Sequence, residues 1–201
     1  SQAGTAPIFA LVGGTAVTVA PKAATPEVHK HVLEDSDGAW QKAADATVGD
    51  DLYWRLAATI PAGLIGYDTY TVEFADTMSA GLDAAKIASS ARVYVAAGTD
   101  GGLDAVAVTG GSVGTEPADG WKDITSGCSV SVDAAANTFT VRTGDLIAAL
   151  GGAEKFAAGA RVVVVYNAPL GAGANRGAEK GNPNEVYLRY PRSPFSDQGG
   201  E

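Results

Sequence analysis

Three polar side chains, Lys30, Asp76 and Asn184, fall in phase with the apolar faces of the segments that carry them. In PEVHKHV (26–32), a strand puts Val28, Lys30 and Val32 on one face and His29 and His31 on the other, because successive strand side chains alternate. If the valines face a core, Lys30 does too, and a lysine in an apolar interior is costly unless its charge is removed or satisfied. In YTVEF (70–74), Tyr70, Val72 and Phe74 share a face and Asp76 keeps their parity. In NEVYLRY (184–190), Asn184 shares parity with Val186, Leu188 and Tyr190. Together these types define one chemistry. A neutral lysine amine is a nucleophile. The asparagine amide is an acyl donor, normally inert. A protonated carboxylic acid beside it can hydrogen-bond its oxygen, polarise the carbonyl and shuttle protons. An apolar core lowers a lysine pKa and raises that of an aspartic acid, which favours the two neutral forms together. The product is a Lys–Asn isopeptide bond, with ammonia leaving.

Each residue also has a plain structural reading. Lys30 fits an edge strand, with its amine reaching out to water. Asp76 fits as a cap on the turn DTMSAGL, and Asn184 as a turn residue in GNPN. A one-residue slip in phase moves any of the three to the opposite face.

The elements that must hold these residues read as short strands. Residues 16–20 (AVTVA) form a run ended by Pro21, and 21–26 read as a linker. After the PEVHKHV strand, 34–38 (EDSDG) is a turn. Its Asp-x-Asp-Gly opening lacks the remaining ligands of a calcium loop, so no metal is expected there. Strands are predicted over 52–60, where Leu52, Trp54, Leu56 and Ala58 share a face, and over 70–74, 91–97, 130–132, 138–141, 161–168 and 184–190. The unbroken β-branched run in RVVVVYNA reads as a buried strand. Residues 98–120, rich in Gly, Ala and Asp, read as a long hairpin or flexible excursion. The best helix is 145–150 (DLIAAL), with Thr143 or Asp145 to cap it and Gly151 to stop it. Eight or nine short strands and one or two short helices predict an all-β sandwich, since the strand–helix alternation of an α/β fold is absent.

Composition narrows the partners. The chain has 201 residues and a formal net charge of −9, which fits one large domain and argues against nucleic acid. A single cysteine, Cys128, allows no intrachain disulfide and reads as a small core residue in CSVSV. No apolar run is long enough to insert in a membrane, and no signal peptide or phosphate loop occurs. No cofactor is expected. The abrupt ends suggest an excised fragment.

The order of landmarks resembles the middle, isopeptide-forming domain of sortase-assembled pilins of Gram-positive bacteria, a CnaA-type immunoglobulin-like fold. The resemblance rests on PEVHK with Lys30, VGDDLYWRL from Val48, YTVEFADTMSAGL from Tyr70, VVVVYNAPL from Val162 and GNPNEVYLRY from Gly181, and spans roughly residues 16–190. It implies that Lys30 is the nucleophile, Asp76 the catalytic acid and Asn184 the acyl partner. Asn182 has the same parity, but Asn184 directly begins the final strand, as in the family pattern. Lys22, in VTVAPK, resembles the lysine that a sortase joins to the next subunit. Ala20 stands where that motif has a tyrosine, and Gly13 where it has a tryptophan. No LPxTG-like sorting signal occurs.

The resemblance implies a leader strand and linker over 1–23, possessed by this domain or closing a preceding one. An immunoglobulin-like domain follows over 24–192 and a linker over 193–201. The expected protein is a structural shaft subunit of an extracellular, cell-wall-anchored pilus, joined to neighbouring pilins by a sortase. It is not a turnover enzyme, because the reaction consumes its own side chains. The alternative is an adhesive or tip-pilin domain that binds a host protein or glycan, with Trp40, Trp121 and the 98–120 excursion as its exposed surface. A carbohydrate-active enzyme needs a pair of facing carboxylates, and none can be picked out.

Overall fold

The computed structural model describes residues 25–200 apart from 34–37, 43, 45, 65, 100–102, 110–111, 175–183 and 194–195; for Asn184 and 193–200 it describes the backbone. The strands run β1 (Val28–Leu33), β2 (Trp40–Gln41), β3 (Tyr53–Thr59), β4 (Glu73–Met78), β5 (Arg92–Ala96), β6 (Val106–Thr109), β7 (Ser112–Pro117), β8 (Trp121–Asp123), β9 (Ser129–Asp133), β10 (Thr138–Arg142), β11 (Arg161–Asn167), β12 (Asn184–Ser193) and β13 (Ser196–Gly200). Two short helices, α1 (Ile87–Ser90) and α2 (Leu146–Leu150), interrupt them. One sheet has the order β2-β1-β3-β11-β5-β8 and a second the order β13-β12-β4-β10-β9, while β6 and β7 pair as a separate hairpin. Every pairing between these strands is antiparallel.

The two sheets face each other across the main core. Leu56, Val93, Val95, Val162, Val164 and Tyr166 come from one side, and Phe74, Phe139, Val141 and Leu188 from the other. This is the immunoglobulin-like sandwich that strand patterning predicts. The face shared by Leu52, Trp54, Leu56 and Ala58 is the inward one, as expected. α2 is also as expected. Asp145 accepts from the backbone N–H groups of Ile147 and Ala148, and Gly151 closes the helix in the left-handed region at φ 85°.

Three features differ from the sequence reading. The strand expected over 70–74 begins only at Glu73 and runs on to Met78. Tyr70 and Val72 are buried all the same, but their N–H groups are satisfied by side chains, Asp145 Oδ1 at 3.0 Å and Thr143 Oγ1 at 3.0 Å. Trp121, expected on an exposed surface, is only 7% exposed, and Trp40 is half-buried. The reason is a second apolar cluster on the outer face of the first sheet. There the β6–β7 hairpin packs Ala105 and Val106 against Ala57, Tyr94, Trp121, Val163 and Val165. The 98–120 excursion is therefore a hairpin that covers the sheet. At the C-terminal end, Ser196–Gly200 pairs with β12 in the segment assigned above to a linker.

Candidate cross-linking site

Lys30 sits in the middle of β1, opposite Leu56 of β3, with Val32 opposite Trp54 on the same face. Alternation carries the Lys30 side chain inward, and its Nζ lies 5.3 Å from the ring centroid of Trp54 and 5.9 Å from that of Tyr166. Asp76 sits in the middle of β4, opposite Phe139 of β10 on one side and Val186 of β12 on the other. That position, between buried Phe74 and Met78, rules out a turn cap. Lys30 Nζ donates a hydrogen bond to Asp76 Oδ2 across the sandwich. The two side chains are 9% and 0% exposed. Tyr166 also hydrogen-bonds the Asp76 carboxyl, and its ring stands edge-on to Phe139 with centroids 4.8 Å apart. Asp76 Oδ1 has no hydrogen-bond partner among the described residues.

Burial drives the electrostatics of the pair. Loss of water lowers the Lys30 pKa from 10.5 to about 8, although the charge and hydrogen bond of Asp76 pull it back up. Loss of water raises the Asp76 pKa from 3.8 to about 6, against the opposing pull of Lys30 and of the hydrogen bond from Tyr166. The resting pair at neutral pH is therefore ionised rather than neutral. The gap to be crossed for proton transfer from ammonium to carboxylate has nevertheless narrowed.

The third residue is placed by its backbone. Asn184 opens β12 opposite Met78, two positions along from the Val186–Asp76 pair. β1 and β12 belong to different sheets, each second from an edge, and the two strands pack against each other. Lys22, Asn182 and the 16–20 run lie outside the described residues. Sequence reasoning missed Trp54 and Tyr166 as the walls of the site. Their inward parity was visible, but only the strand order places β3 and β11 beside Lys30.

No protein-family model matches the chain, and no curated protein matches it. Solved structures do match. The immunoglobulin-like sandwich is similar to the fold of streptococcal pilus backbone proteins. The chain superposes on the pilus backbone RrgB of Streptococcus pneumoniae with a TM-score of 0.53 and 18% identity, covering 84% of this chain and 53% of that one. It superposes on a C-terminal fragment of the major pilin GBS80 of Streptococcus agalactiae with a TM-score of 0.55 and 18% identity, covering 88% of this chain and 53% of that one. The C-terminal domain of the antigen I/II-family protein AspA of Streptococcus pyogenes matches with a TM-score of 0.51 and 16% identity, over 83% of this chain and 43% of that one. The chain thus spans about half the length of the pilin structures it matches, one of them a fragment.

Proposed function

We propose that the chain is a structural domain of a covalently polymerised cell-surface pilus, stabilised by an internal Lys30–Asn184 isopeptide bond that it makes itself. The single observation that carries this reading is the Lys30–Asp76 pair, two ionisable groups set between the sheets, Asp76 buried and Lys30 nearly so, with both pKa values driven toward the neutral forms. A buried ion pair adds little stability over an apolar one, so its presence asks for another reason. The pilus backbone fold supports the same reading.

The chemistry follows from the pair. Lys30 passes a proton to Asp76, which leaves a free amine and a carboxylic acid. The acid hydrogen-bonds the Asn184 carbonyl oxygen, and Lys30 Nζ attacks Asn184 Cγ. The Cγ–Nδ2 bond then breaks, the departing NH2 takes one proton from Asp76, and ammonia leaves. The attacking Lys30 amine gives one proton back to Asp76 as its bond to Cγ forms, so the acid relays a proton and is regenerated. Tyr166 and Trp54 keep water out and hold the pair in place. This happens once per chain, so the protein is not a turnover enzyme. In the assembled pilus, neighbouring subunits are its partners, joined by a sortase through Lys22, and the fibre is anchored to the cell wall. Intact mass tests the cross-link directly. Folded protein is expected to be lighter than its sequence mass by one ammonia, and fully folded protein at the unshifted mass would sink it.

A further inference from the structure

A separate cavity lies on the far side of the first sheet, under the β6–β7 hairpin. It is half-open and holds about 350 Å3. Its floor is Arg92 and Tyr94, two residues apart on the same face of β5, and Asp123 of β8, which stands directly opposite Tyr94 in the ladder. Tyr53 walls one side, and Ser112 and Thr115 of the hairpin form the roof. Both charged groups are held locally. Asp123 Oδ1 accepts from the Thr125 backbone N–H at 2.8 Å, and Arg92 Nη1 donates to the Ala91 carbonyl at 2.9 Å. Arg92 Nη1 also donates to the Ser89 carbonyl at 3.4 Å, and no partner is seen for Nη2 or Nε among the described residues. The charges of Asp123 and Arg92 act on the Tyr94 phenol in opposite senses, which places both beside it.

The donor and acceptor set defines the ligand. One cation and one anion cancel, so the cavity has no net charge, and the chain around it is acidic. Phosphate, sulfate or an acidic sugar would find no excess positive charge here. A carboxylate that can accept two hydroxyls, a guanidinium fork, and phenol and hydroxyl groups that both donate and accept fit a neutral molecule with several adjacent hydroxyls. The volume is at the low end of the roughly 300–1,000 Å3 of ligand sites, room for one ring rather than a chain. We propose that this cavity binds a neutral sugar residue, gripped between Arg92 and Asp123 with Tyr94 beneath it and the hairpin hydroxyls above. The site is independent of the cross-link, and the two proposals stand or fall separately.

Titration of isotope-labelled protein with neutral hexoses and N-acetylhexosamines, followed by NMR, tests the assignment. At least one sugar is expected to give saturable shifts at Arg92, Tyr94, Thr115 and Asp123. Asp123→Asn keeps the acceptor that Thr125 needs, and Tyr94→Phe keeps the buried ring. Each is expected to weaken binding about tenfold or more, with the melting temperature of Asp123→Asn unchanged. A free sugar and the end unit of a glycan are distinguished by comparing the monosaccharide with its oligosaccharide. The proposal is overturned if no sugar gives saturable shifts, if the shifts map elsewhere, if Asp123→Asn binds as tightly as wild type, or if glycine or another zwitterionic amino acid binds in place of sugars.

Discussion

The resting Lys30–Asp76 pair holds one titratable proton, one too few for both groups to be protonated and one too many for both to be bare, and the pH dependence expected of the proposed cross-link follows from that count. The reactive state, free amine with carboxylic acid, holds the same number of protons as the ion pair. Its population is therefore a constant fraction of the ion pair, which dominates between the Asp76 value of about 6 and the Lys30 value of about 8. Below about 6 the carboxylate gains a proton while the ammonium keeps its own, and above about 8 the amine is free but no acid is left. The rate of ammonia loss after refolding is expected to follow a bell with its maximum inside that window and to fall on both sides, as read by quenched intact mass. Asp76→Ala is expected to fold yet leave the residues unlinked. If it lost ammonia at the wild-type rate, another acid would have to be found.

At the scale of elements, β4 and β12 do most to build the site. β4 carries Asp76 at its centre, and the register with β12 fixes Val186 beside it and Asn184 at the start of β12. β1 brings Lys30 from the opposite sheet. Lys22, outside the described residues, is the lysine that the proposed function gives to the sortase. Lys22→Arg keeps the charge but removes the amine that a sortase would acylate. It is expected to stop polymer growth while leaving the internal mass shift intact. Polymers of normal length would assign the role to another lysine.

Across the whole molecule, the proposed Lys30–Asn184 link would join an early strand to a late one and close a loop around nearly the entire domain. By analogy with disulfides of similar span, such closure restricts the unfolded chain by about 4–5 kcal/mol. Its larger effect is on load. Force that enters before β1 and leaves after β12 passes through the covalent bond and bypasses the hydrogen-bonded sheets between them. Wild type is expected to extend little under forces that unzip ordinary sandwiches. Lys30→Ala should extend by most of the length between residues 30 and 184, and should be digested more readily. Single-molecule pulling decides this, since equal extension would place the link outside the load path.

Periodicity alone was enough for the sandwich, because alternation records which face of each strand is wetted, and that is a local property of the chain. The inward phase of Lys30 and Asp76 was legible for the same reason. Register and strand order depend on contacts between distant segments, so the sequence left open whether the two side chains meet. Only the packed sheets set β1 across from β4, enclose the pair with Trp54 and Tyr166, and turn Asp76 from a plausible cap into a buried acid. The same limit explains Trp121. Its own strand, three residues long, carries too little pattern to show a face, and it is buried because a hairpin from elsewhere in the chain folds over it. The cavity beneath that hairpin is likewise a product of tertiary structure. Arg92, Tyr94 and Asp123 sit on two strands whose pairing brings them together, and nothing in their spacing along the chain announces it.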